Sequence, residues 1–451
     1  MTEIEFLEAE IAKWKCSPQR MMQITGALYY ENEHDILKRK RTMIGEDGKL
    51  QKVDNLPNNL IVDNVYARLV NQKANYLLGK PMVIDGRNKT YIGLLKKIFG
   101  KRFMCTLKNA GKAALNGGIA WLYPHYDERG RLDFRLFPAY EILPFWRDSG
   151  HTQLEMAVRL YCVEGYEGSV PVTVEKVEVY GADGVRRFAL DGGRLIPDID
   201  IQNEDNAFPY VRGGDKRLNW ERIPLVAVKY NESEIPLIKR VKSLQDGINV
   251  MLSDFENNMQ QDPRNTILVL KNYDGTDLGE FRRNLAAFGA VKVRCDGDAR
   301  GGVETLEVNV NAENYKTVIH IFKKAVIENG MGYDARDQRL FGTPNQMNIL
   351  SMYSDIDLDA NEMEAELQAA FEELLWFVNA HLANTGQGDF EGEEVAFIFN
   401  RDMMMDEGQI VENINNSVGI LSRRTLVAQH PWVNDVEEEM MRIEGEEMKG
   451  H

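Results

Sequence analysis

A long amphipathic repeat that begins at Pro236 constrains this chain more than any other feature. Apolar residues recur along it at steps of three and four, the spacing that places side chains on one face of a helix. They are Leu237, Val241, Leu244, Ile248, Met251 or Leu252, Phe255 and Met259. The pattern stops before Pro263, so it predicts one helix over 236–262 with a length on the order of 40 Å. Such a helix suits a strut better than the core of a small globular domain.

The part of the chain before this helix mixes short helical and strand patterns, which is typical of an α+β domain. Helices are predicted over 63–78 and 103–116, because apolar positions share one face there and glycines follow. Strands are predicted over 119–123, 132–136, 154–164, 171–180 and 223–230.

A second set of elements follows the strut. Residues 264–310 are predicted to form a small β-α-β-β insertion, and 311–329 another helix. The interval 332–349 contains glycines and a proline, and is predicted to be a loop of a length that usually has a function or is disordered. A further long helix is predicted over about 355–382, and shorter helices with an acidic tail within 401–451.

Net charge limits how the chain could contact nucleic acid. Its 54 lysines and arginines face 70 aspartates and glutamates, which gives a formal charge of −16 over 451 residues. A general basic coat is excluded, and any contact with nucleic acid has to be local or weak. The basic run 38–41 could contact DNA or a partner, but a short charge run is usually a solvated face, which is the favoured interpretation. Lys239, Arg240 and Lys242 lie near a helix N-terminus, where cations oppose the dipole, and are expected to pair with an acidic group on a neighbouring subunit.

The sequence contains no catalytic or metal motif. A phosphate-binding loop, an HExxH pair and a GxSxG turn are all missing. The cysteines lie far apart without a CxxC pair, which argues against a zinc site and a disulfide scaffold. No apolar run is long enough to span a membrane, and the N-terminus lacks a signal-peptide pattern. We therefore expect no cofactor, no enzymatic activity and no membrane insertion.

One acidic pattern partly matches a calcium-binding loop. Asp355, Asp357, Asp359 and Glu366 occupy the first, third, fifth and twelfth positions of an EF-hand loop. The sixth position is Ala360 instead of glycine, and apolar residues run through the segment at helical spacing. A calcium loop and the solvated acidic face of a helix are both open interpretations, and the spacing favours the helix.

Short motifs spread along the chain form an ordered set. They are YY and HDI within 29–36, VYARLVNQKANYLLGKP at 65–81, IPLV and YNE within 223–232, DGINVMLSD at 246–254, LVLKNY with Gly275 at 268–275, and MYSDIDL at 352–358. This set resembles the phage portal proteins of the SPP1 type and covers most of the chain in the family's order. Residues 182–215 match no feature of the family, and the region after Asn400 resembles it only in a general crown-like role.

The resemblance implies an α+β portal fold with long stem helices, a small β-α-β-β clip and a helical crown. The implied division is a wing over 1–235, stem helices over 236–263 and 311–331, a clip over 264–310, a tunnel loop over 332–349, a long helix with a return to the wing over 350–400, and a crown-like helical region over 401–451.

The resemblance also implies a function. Portal proteins form a ring of about twelve copies at one capsid vertex, and double-stranded DNA enters and leaves through it without sequence-specific contacts. The implied partners are other copies of the chain, the terminase large subunit that supplies ATP hydrolysis, the scaffold, the major capsid protein and a head-completion or adaptor protein. The implied location is the portal vertex of the virion, and the host cytoplasm during assembly.

Two sets of candidate site residues follow from the resemblance. Polar or cationic groups on the tunnel loop could touch passing phosphates without holding them; the candidates are Arg336, Arg339, Phe341, Pro344, Asn345 and Gln346. Candidates for contact with terminase or an adaptor lie on the clip; they are Asn272, Tyr273, Asp274, Arg282 and Arg283. The simpler alternatives are an ordinary surface loop and a knob whose polar groups are merely solvated.

The sequence leaves two other functions open. A soluble carboxylate-based enzyme is suggested by the abundance of Asp and Glu, and it would show a pocket with two convergent carboxylates of separated pKa. Another ring or adaptor component of the virion would differ from a portal in its partners.

Overall fold

The chain forms two compact units. The computed structural model describes residues 1–44, 48–52, 57–167, 170–198, 207–213, 216–261, 267–271, 302–306, 312–334, 346–401, 407–428, 430, 432–433 and 436–449. The first unit comprises Met1–Gln23, Val70–Pro236 and Met331–His451. The second unit comprises Ile24–Leu69 and Leu237–Gly330.

Helices and antiparallel strands alternate in blocks along the chain. The helices are α1 (Glu3–Lys15), α2 (Pro18–Tyr30), α3 (Val65–Leu78), α4 (Lys89–Ile98), α5 (Lys101–Gly117), α6 (Ile238–Gln261), α7 (Ala312–Asn329), α8 (Gln346–Asn384), α9 (Glu407–Asn416), α10 (Arg423–Ala428) and α11 (Val436–Lys449). The strands are β1 (Thr42–Ile44), β2 (Leu50–Lys52), β3 (Val83–Gly86), β4 (Ile119–Tyr126), β5 (Leu132–Pro138), β6 (Ile142–Trp146), β7 (Leu154–Glu167), β8 (Val170–Gly181), β9 (Gly184–Asp191), β10 (Arg194–Pro197), β11 (Ala207–Phe208), β12 (Val211–Gly213), β13 (Lys216–Leu218), β14 (Val226–Lys229), β15 (Ile267–Lys271), β16 (Gly302–Leu306) and β17 (Val395–Ile398).

A six-stranded antiparallel sheet is the largest element of the first unit. Its order is β10-β9-β8-β7-β6, with β11 also paired to β9. Helix α1 begins with a capping box in which Thr2 and Glu5 satisfy each other's backbone N–H groups. Its residues Leu7, Ile11 and Trp14 pack in one buried cluster with apolar residues of β7, β8, β9 and β10, so the helix covers part of the sheet.

A second sheet, with the order β14-β4-β5, supplies the other main core of this unit. The turn between β4 and β5 is fixed by Asp127, whose Oδ1 accepts hydrogen bonds from the N–H groups of Arg129 and Arg131, and by Gly130 at a φ of 73°. Trp121 and Phe137 of this sheet lie in one cluster with Ala157 and Tyr180 of the larger sheet. The two sheets therefore share a core.

Helix α8 and strand β17 return to the first unit. Strand β17 pairs antiparallel with β3, with Phe397 opposite Ile84. Phe397 and Phe371 of α8 lie 4.4 Å apart between ring centroids, and both rings contact Phe99. This aromatic group joins α8 and β17 to the α4–α5 connection.

The second unit is built on α6 and α7, which pack together. Gly247 permits their close approach, because a Cβ atom there would lie 2.7 Å from the ring of Phe322. Strands β15 and β16 pair antiparallel, from Ile267 opposite Leu306 to Lys271 opposite Gly302.

A row of polar side chains on α6 holds an extended segment in the same unit. The accepting oxygens belong to residues four apart, Gln245, Asn249, Ser253 and Asn257. The backbone donors lie two apart on the other segment, at Val65, Asp63, Ile61 and Asn59, with Tyr66 as a second donor to Gln245. Four helical residues rise about 6.0 Å and two extended residues about 6.6 Å, so the two spacings match.

The stem and loop boundaries differ in detail from those predicted from the sequence. The helix predicted over 236–262 spans Ile238–Gln261, and the one predicted over 311–329, which the resemblance extends to 331, spans Ala312–Asn329. The loop predicted over 332–349 is too long at its end, because α8 already begins at Gln346 and continues to Asn384. The long helix predicted over about 355–382 therefore begins nine residues earlier and ends two residues later than the pattern indicated.

The two compact units cut across the wing that the resemblance implies, and that wing stays a prediction. The resemblance places all of 1–235 in one wing, whereas 24–69 belongs to the unit that contains α6 and α7. The hydrogen bonds between the 59–66 segment and α6 explain this grouping. Of the predicted clip, only 267–271 and 302–306 are among the described residues, as the two paired strands.

No helix in the described part of the chain is both long and apolar enough to cross a membrane.

Candidate functional site: the anchor of the 335–345 segment

Most of the candidate residues from the sequence lie outside the described residues. This holds for all five clip candidates and for the tunnel-loop candidates up to Asn345, while Gln346 is the first residue of α8. Residues on both sides of the 335–345 segment are described, and they form a connected group in the first unit. We call this group the loop anchor; its members are Gln72, Lys73 and Tyr76 of α3, Met331, Tyr333, Tyr230, and Tyr353, Asp357 and Asp359 of α8.

The chain entering the segment is held by two side chains of α3. Gln72 binds the backbone of Tyr333 twice: its Nε2 donates to the carbonyl oxygen at 2.8 Å, and its Oε1 accepts from the N–H group at 3.1 Å. Lys73 Nζ donates to the carbonyl oxygen of Met331 at 3.0 Å. Met331 has a φ of 51°, a left-handed conformation that non-glycine residues rarely adopt, so neighbouring contacts have to hold it.

A buried charge pair joins this entry to α8. Lys73 Nζ lies 2.6 Å from Asp359 Oδ2, and the side chains of both residues are only 3% exposed. The other carboxylate oxygen, Oδ1, accepts a hydrogen bond from the hydroxyl of Tyr230 at 2.6 Å. A buried carboxylate needs a cation and hydrogen bonds to compensate for lost hydration, and Asp359 has both.

Stacked tyrosines add an aromatic contact between the same elements. The rings of Tyr76 and Tyr353 stack with centroids 5.7 Å apart, and Tyr333 lies 4.5 Å from Tyr353. The hydroxyl of Tyr76 donates to Asp357 Oδ1 at 3.0 Å, and burial together with this carboxylate raises the pKa of Tyr76. Tyr333, two residues before the undescribed segment, is therefore fixed through both its backbone and its ring.

A second polar group fixes the outer side of α8. Arg401 lies 2.6 Å from Glu364 and 3.5 Å from Asp357, measured between nitrogen and oxygen atoms. Its guanidinium also donates to the side-chain oxygen of Asn361 at 2.6 Å. Arg401 thereby holds three side chains from two turns of α8 in place.

The partial calcium pattern does not form a loop. Asp355, Asp357, Asp359 and Glu366 all lie within the continuous helix α8, so the sharp turn of an EF-hand is missing. Asp357 and Asp359 instead bind the tyrosine and lysine of the loop anchor. Among the described residues, no group of three or more His, Cys, Asp and Glu side chains could hold a metal ion.

Another carboxyl group of α8 has a strongly altered acidity. Burial raises the pKa of Glu373 to about 7, against the smaller opposing effects of Arg222 and Lys229. Burial is also the largest cause of the raised pKa of Glu366, which lies two helical turns earlier. These are acidic groups whose charge is disfavoured by their surroundings, and neither is part of the loop anchor.

Lys242 near the start of α6 and Arg39 of the basic run pair with acids of their own unit. Lys242 Nζ lies 2.7 Å from Asp35 and 2.8 Å from Asp246, and Arg39 of the basic run lies 2.8 Å from Asp254. The hydrogen bond from Lys242 is the main reason that the pKa of Asp35 is lowered to about 2. For Lys242, the expected acid on a neighbouring subunit is thus replaced by two acids of the same chain.

The loop anchor was missed by the sequence analysis, although one signal for it was present. Lys73 lies four residues after Leu69 and three before Tyr76, on the apolar face of the predicted helix. A lysine on a buried face needs an acidic partner. The identity of that partner, 286 positions away along the chain, could not be found from local spacing.

Comparisons with known proteins place these features in a family. Residues 15–449 match the family model described as "Phage portal protein, SPP1 Gp6-like". The portal protein of Bacillus phage SPP1 is 30% identical over 437 residues, which cover 95% of this chain and 85% of that protein. The portal protein of Clostridium phage phiCD119 is 26% identical over 453 residues, which cover 97% of this chain and 94% of that protein.

One solved structure shows a weak likeness. A chain in the structure titled "Virion of native gene transfer agent (GTA) particle" is 12% identical, with a TM-score of 0.36, and the match covers 84% of this chain and 89% of that one. A score at this level supports no conclusion about the fold. The matches in sequence extend over nearly the whole chain, and on their strength the chain belongs to the SPP1 Gp6-like family of phage portal proteins.

Proposed function

We propose that this chain is the subunit of a ring at a single capsid vertex, through which double-stranded DNA enters the head during packaging and leaves it during ejection. The match of residues 15–449 to the portal family carries this proposal. The long helices α6 and α7 are suited to form a stem, and the missing phosphate-binding loop agrees with a protein that conducts DNA while another protein hydrolyses ATP.

The partners of this function are those of a vertex complex. In the proposal, copies of the chain form the ring, the terminase large subunit and later a head-completion or adaptor protein dock on it, and the scaffold and major capsid protein surround it. The clip between β15 and β16 is the proposed docking site, with Tyr273 and Arg282 among its candidates. Assembly takes place in the host cytoplasm, and the product is part of the virion.

The 335–345 segment is the proposed channel loop. The loop anchor supports this assignment, because it fixes the entering chain by backbone and ring contacts directly before the segment. A loop with a fixed base can vary in conformation at its tip while it stays at one place in the channel. Its cations, Arg336 and Arg339, are few, so they would touch phosphates without binding DNA tightly.

The acidic balance of the chain supports the same mechanism. Each phosphate that a cation neutralises releases counterions and strengthens binding, so a channel lined with many lysines and arginines would hold DNA in place. A chain with a formal charge of −16 avoids that effect. The proposed mechanism is therefore guidance by a few weak contacts on a firmly based loop.

The experiment that tests this function is DNA packaging in vitro with the terminase and empty heads that carry the portal. The Arg336→Gln/Arg339→Gln variant should form rings like the wild type but package less DNA. A matched control, Arg129→Gln/Arg194→Gln, removes two exposed arginines of the first unit, one from the turn between β4 and β5 and one from the start of β10, and should package normally. Normal packaging by the loop variant would refute the role of the loop, and failure of the wild type to form rings would refute the portal function itself.

A further inference from the structure

The segment from Gly79 to Gly117 reverses the charge of the chain. It contains nine lysines and arginines and one acid, Asp85, which amounts to a charge of +8. The whole chain carries −16, so the remaining residues together carry −24. Helices α4 and α5, which make up most of the segment, contain seven cations and no acid.

These cations lie on the surface of the first unit. Lys96 and Lys97 form the last turn of α4, and Lys101 and Arg102 form the first turn of α5, with only Phe99 and Gly100 between the helices. All four are exposed, whereas Phe99 and Phe103 between and beside them are buried. The fold thus turns the apolar residues of this corner inward and presents its four cations together. We call this group the basic corner.

The basic corner is unfavourable for the stability of α5. A helix N-terminus carries a partial positive charge, and cations in the first turn add to it. The first turn of α5 has two such cations and no acid, and its N-cap residue, Gly100, has no side chain to accept a hydrogen bond from the helix. Lys96 and Lys97 lie in the last turn of α4, where cations favour the helix dipole. The first-turn pair of α5 is the part of the basic corner that does not help its helix, and a role in binding an anionic partner accounts for it.

The residue types indicate which anion. The exposed cations of α4 and α5 are mainly lysines, and lysine is depleted at the cores of protein–protein interfaces, where arginine and aromatic residues are enriched. Lysines suit the sequence-independent neutralisation of phosphates along a nucleic-acid backbone. Arg102 has a structural contact as well, because its guanidinium lies 2.9 Å from Asp133 of β5.

We propose that the basic corner is a second contact site for double-stranded DNA, separate from the channel loop and indifferent to sequence. The choice of DNA as the ligand rests on the proposed function. The −24 charge of the remaining chain repels DNA, so the contact is restricted to this surface and is weak enough to break and re-form. A portal with such a surface touches packaged DNA outside the channel.

The test is binding of the purified full-length protein to a fluorescently labelled, covalently closed duplex minicircle at a series of salt concentrations. A closed circle has no end that could thread through a ring, so the assay reports only contacts outside the channel. The variant is Lys96→Gln/Lys97→Gln/Lys101→Gln, which leaves the Arg102 contact intact. The matched control is Lys13→Gln/Lys38→Gln/Lys324→Gln, whose side chains are 76%, 72% and 64% exposed.

The wild type and the control should bind alike, and the basic-corner variant should bind at least tenfold more weakly. The slope of log affinity against log salt concentration should become shallower by about three, because about 0.9 is lost for each phosphate contact. The variant should melt close to the wild type, because it loses two cations that favour the last turn of α4 and one that disfavours the first turn of α5, each worth less than about 1 kcal/mol at an exposed position. A loss of binding with unchanged melting temperature is therefore not a loss of folding.

Three results would overturn the inference. If the two triple variants lose binding equally, the effect belongs to net charge alone. If neither variant loses binding, the basic corner does not contact DNA. Displacement of the minicircle by poly-L-glutamate at equal charge concentration would assign the basic corner to an acidic protein instead. Images of the same samples separate this inference from the proposed function. If the basic-corner variant forms rings and still binds the minicircle, only the inference about the basic corner is refuted. If the wild type forms no rings, the portal function itself is refuted.

Discussion

Two regions of the molecule hold an irregular stretch of chain against a helix, and they do so by opposite means. The loop anchor uses one buried ion pair, Lys73 with Asp359, together with stacked tyrosines. The row on α6 uses four neutral side chains, Gln245 to Asn257, each of which accepts from the backbone of the 59–66 segment.

The difference predicts how much stability each region should lose when one of its side chains is replaced. An ion pair concentrates its effect at one point, because removal of one partner leaves a buried charge without compensation. A row of neutral hydrogen bonds spreads its effect, and the loss of one member leaves one backbone donor, or two at Gln245, without an acceptor. The row also fixes which residues of the 59–66 segment lie opposite which residues of α6, whereas the ion pair fixes a single position of α3 against α8.

The largest effect is expected from Lys73→Met. It leaves the carboxylate of Asp359 buried beside Tyr230 without its cation, and should lower the free energy of unfolding by about 3–5 kcal/mol. Denaturant unfolding measures this, and hydrogen exchange at 331–334 should become faster because the Met331 carbonyl loses its donor.

The control for this prediction is Lys13→Met on the exposed surface of α1, which should leave stability nearly unchanged. The double variant Lys73→Met/Asp359→Leu should regain part of the loss, since it removes the charge itself. A loss in the single variant no larger than in the control would show that the ion pair does not stabilise the anchor.

Glu373 of α8 is a half-buried carboxyl group without a paired cation among the described residues, and its charge should make the stability of the protein depend on pH. The pKa of Glu373 is raised from 4.5 to about 7 by burial, so the folded state holds a proton that the unfolded state has already lost. Stability from this group is present below pH 4.5 and declines as the pH rises to 7, by at most about 3 kcal/mol.

Glu373→Gln should therefore remove this decline and be the more stable protein above pH 7, as melting temperatures across the pH range would show. Its exposed neighbour provides the control: Glu372→Gln should keep the pH dependence of the wild type. Parallel curves for wild type and Glu373→Gln would mean that this carboxyl is ionised in the folded protein.

A substitution at the centre of the neutral row on α6 should lower the free energy of unfolding less than the loss of the Lys73–Asp359 ion pair does. Asn249 Oδ1 accepts from the Asp63 N–H and from Gln245 Nε2, and its Nδ2 lies 2.8 Å from His34 Nδ1. Asn249→Leu should lower the free energy of unfolding by about 2 kcal/mol. Gln260→Leu, at an exposed position of the same helix, should cost little, and an equal cost at both positions would contradict the importance of the row.

The smallest effect is expected from Ser253→Ala. It removes one hydroxyl, which accepts from the Ile61 N–H at 3.0 Å, and should cost about 1 kcal/mol in denaturant unfolding. A cost as large as that of Lys73→Met would remove the distinction between the two regions.

Features with a repeating local pattern could be predicted from the sequence. The apolar repeat and its flanking prolines located α6 to within two residues, because every turn of a long helix repeats the same signal. The polar row on α6 was equally visible as residues four apart, but its meaning depends on a segment almost 200 positions away. Pairings over such distances, like that of Lys73 with Asp359, leave no local signal.

The basic corner was missed for a different reason. Net charge over the whole chain concealed a local reversal that the composition of 79–117 displays plainly. The candidate residues for DNA and terminase contact rested on the resemblance alone, and they stay predictions because they lie outside the described residues, apart from Gln346 at the start of α8.

The most direct test of the central claim is the mass and shape of the purified protein, measured by native mass spectrometry together with negative-stain images. A portal subunit should give a closed ring of about twelve chains with a central hole wide enough for duplex DNA. A monomer that stays compact across protein and salt concentrations, with the scaffold protein present, would contradict the proposed function.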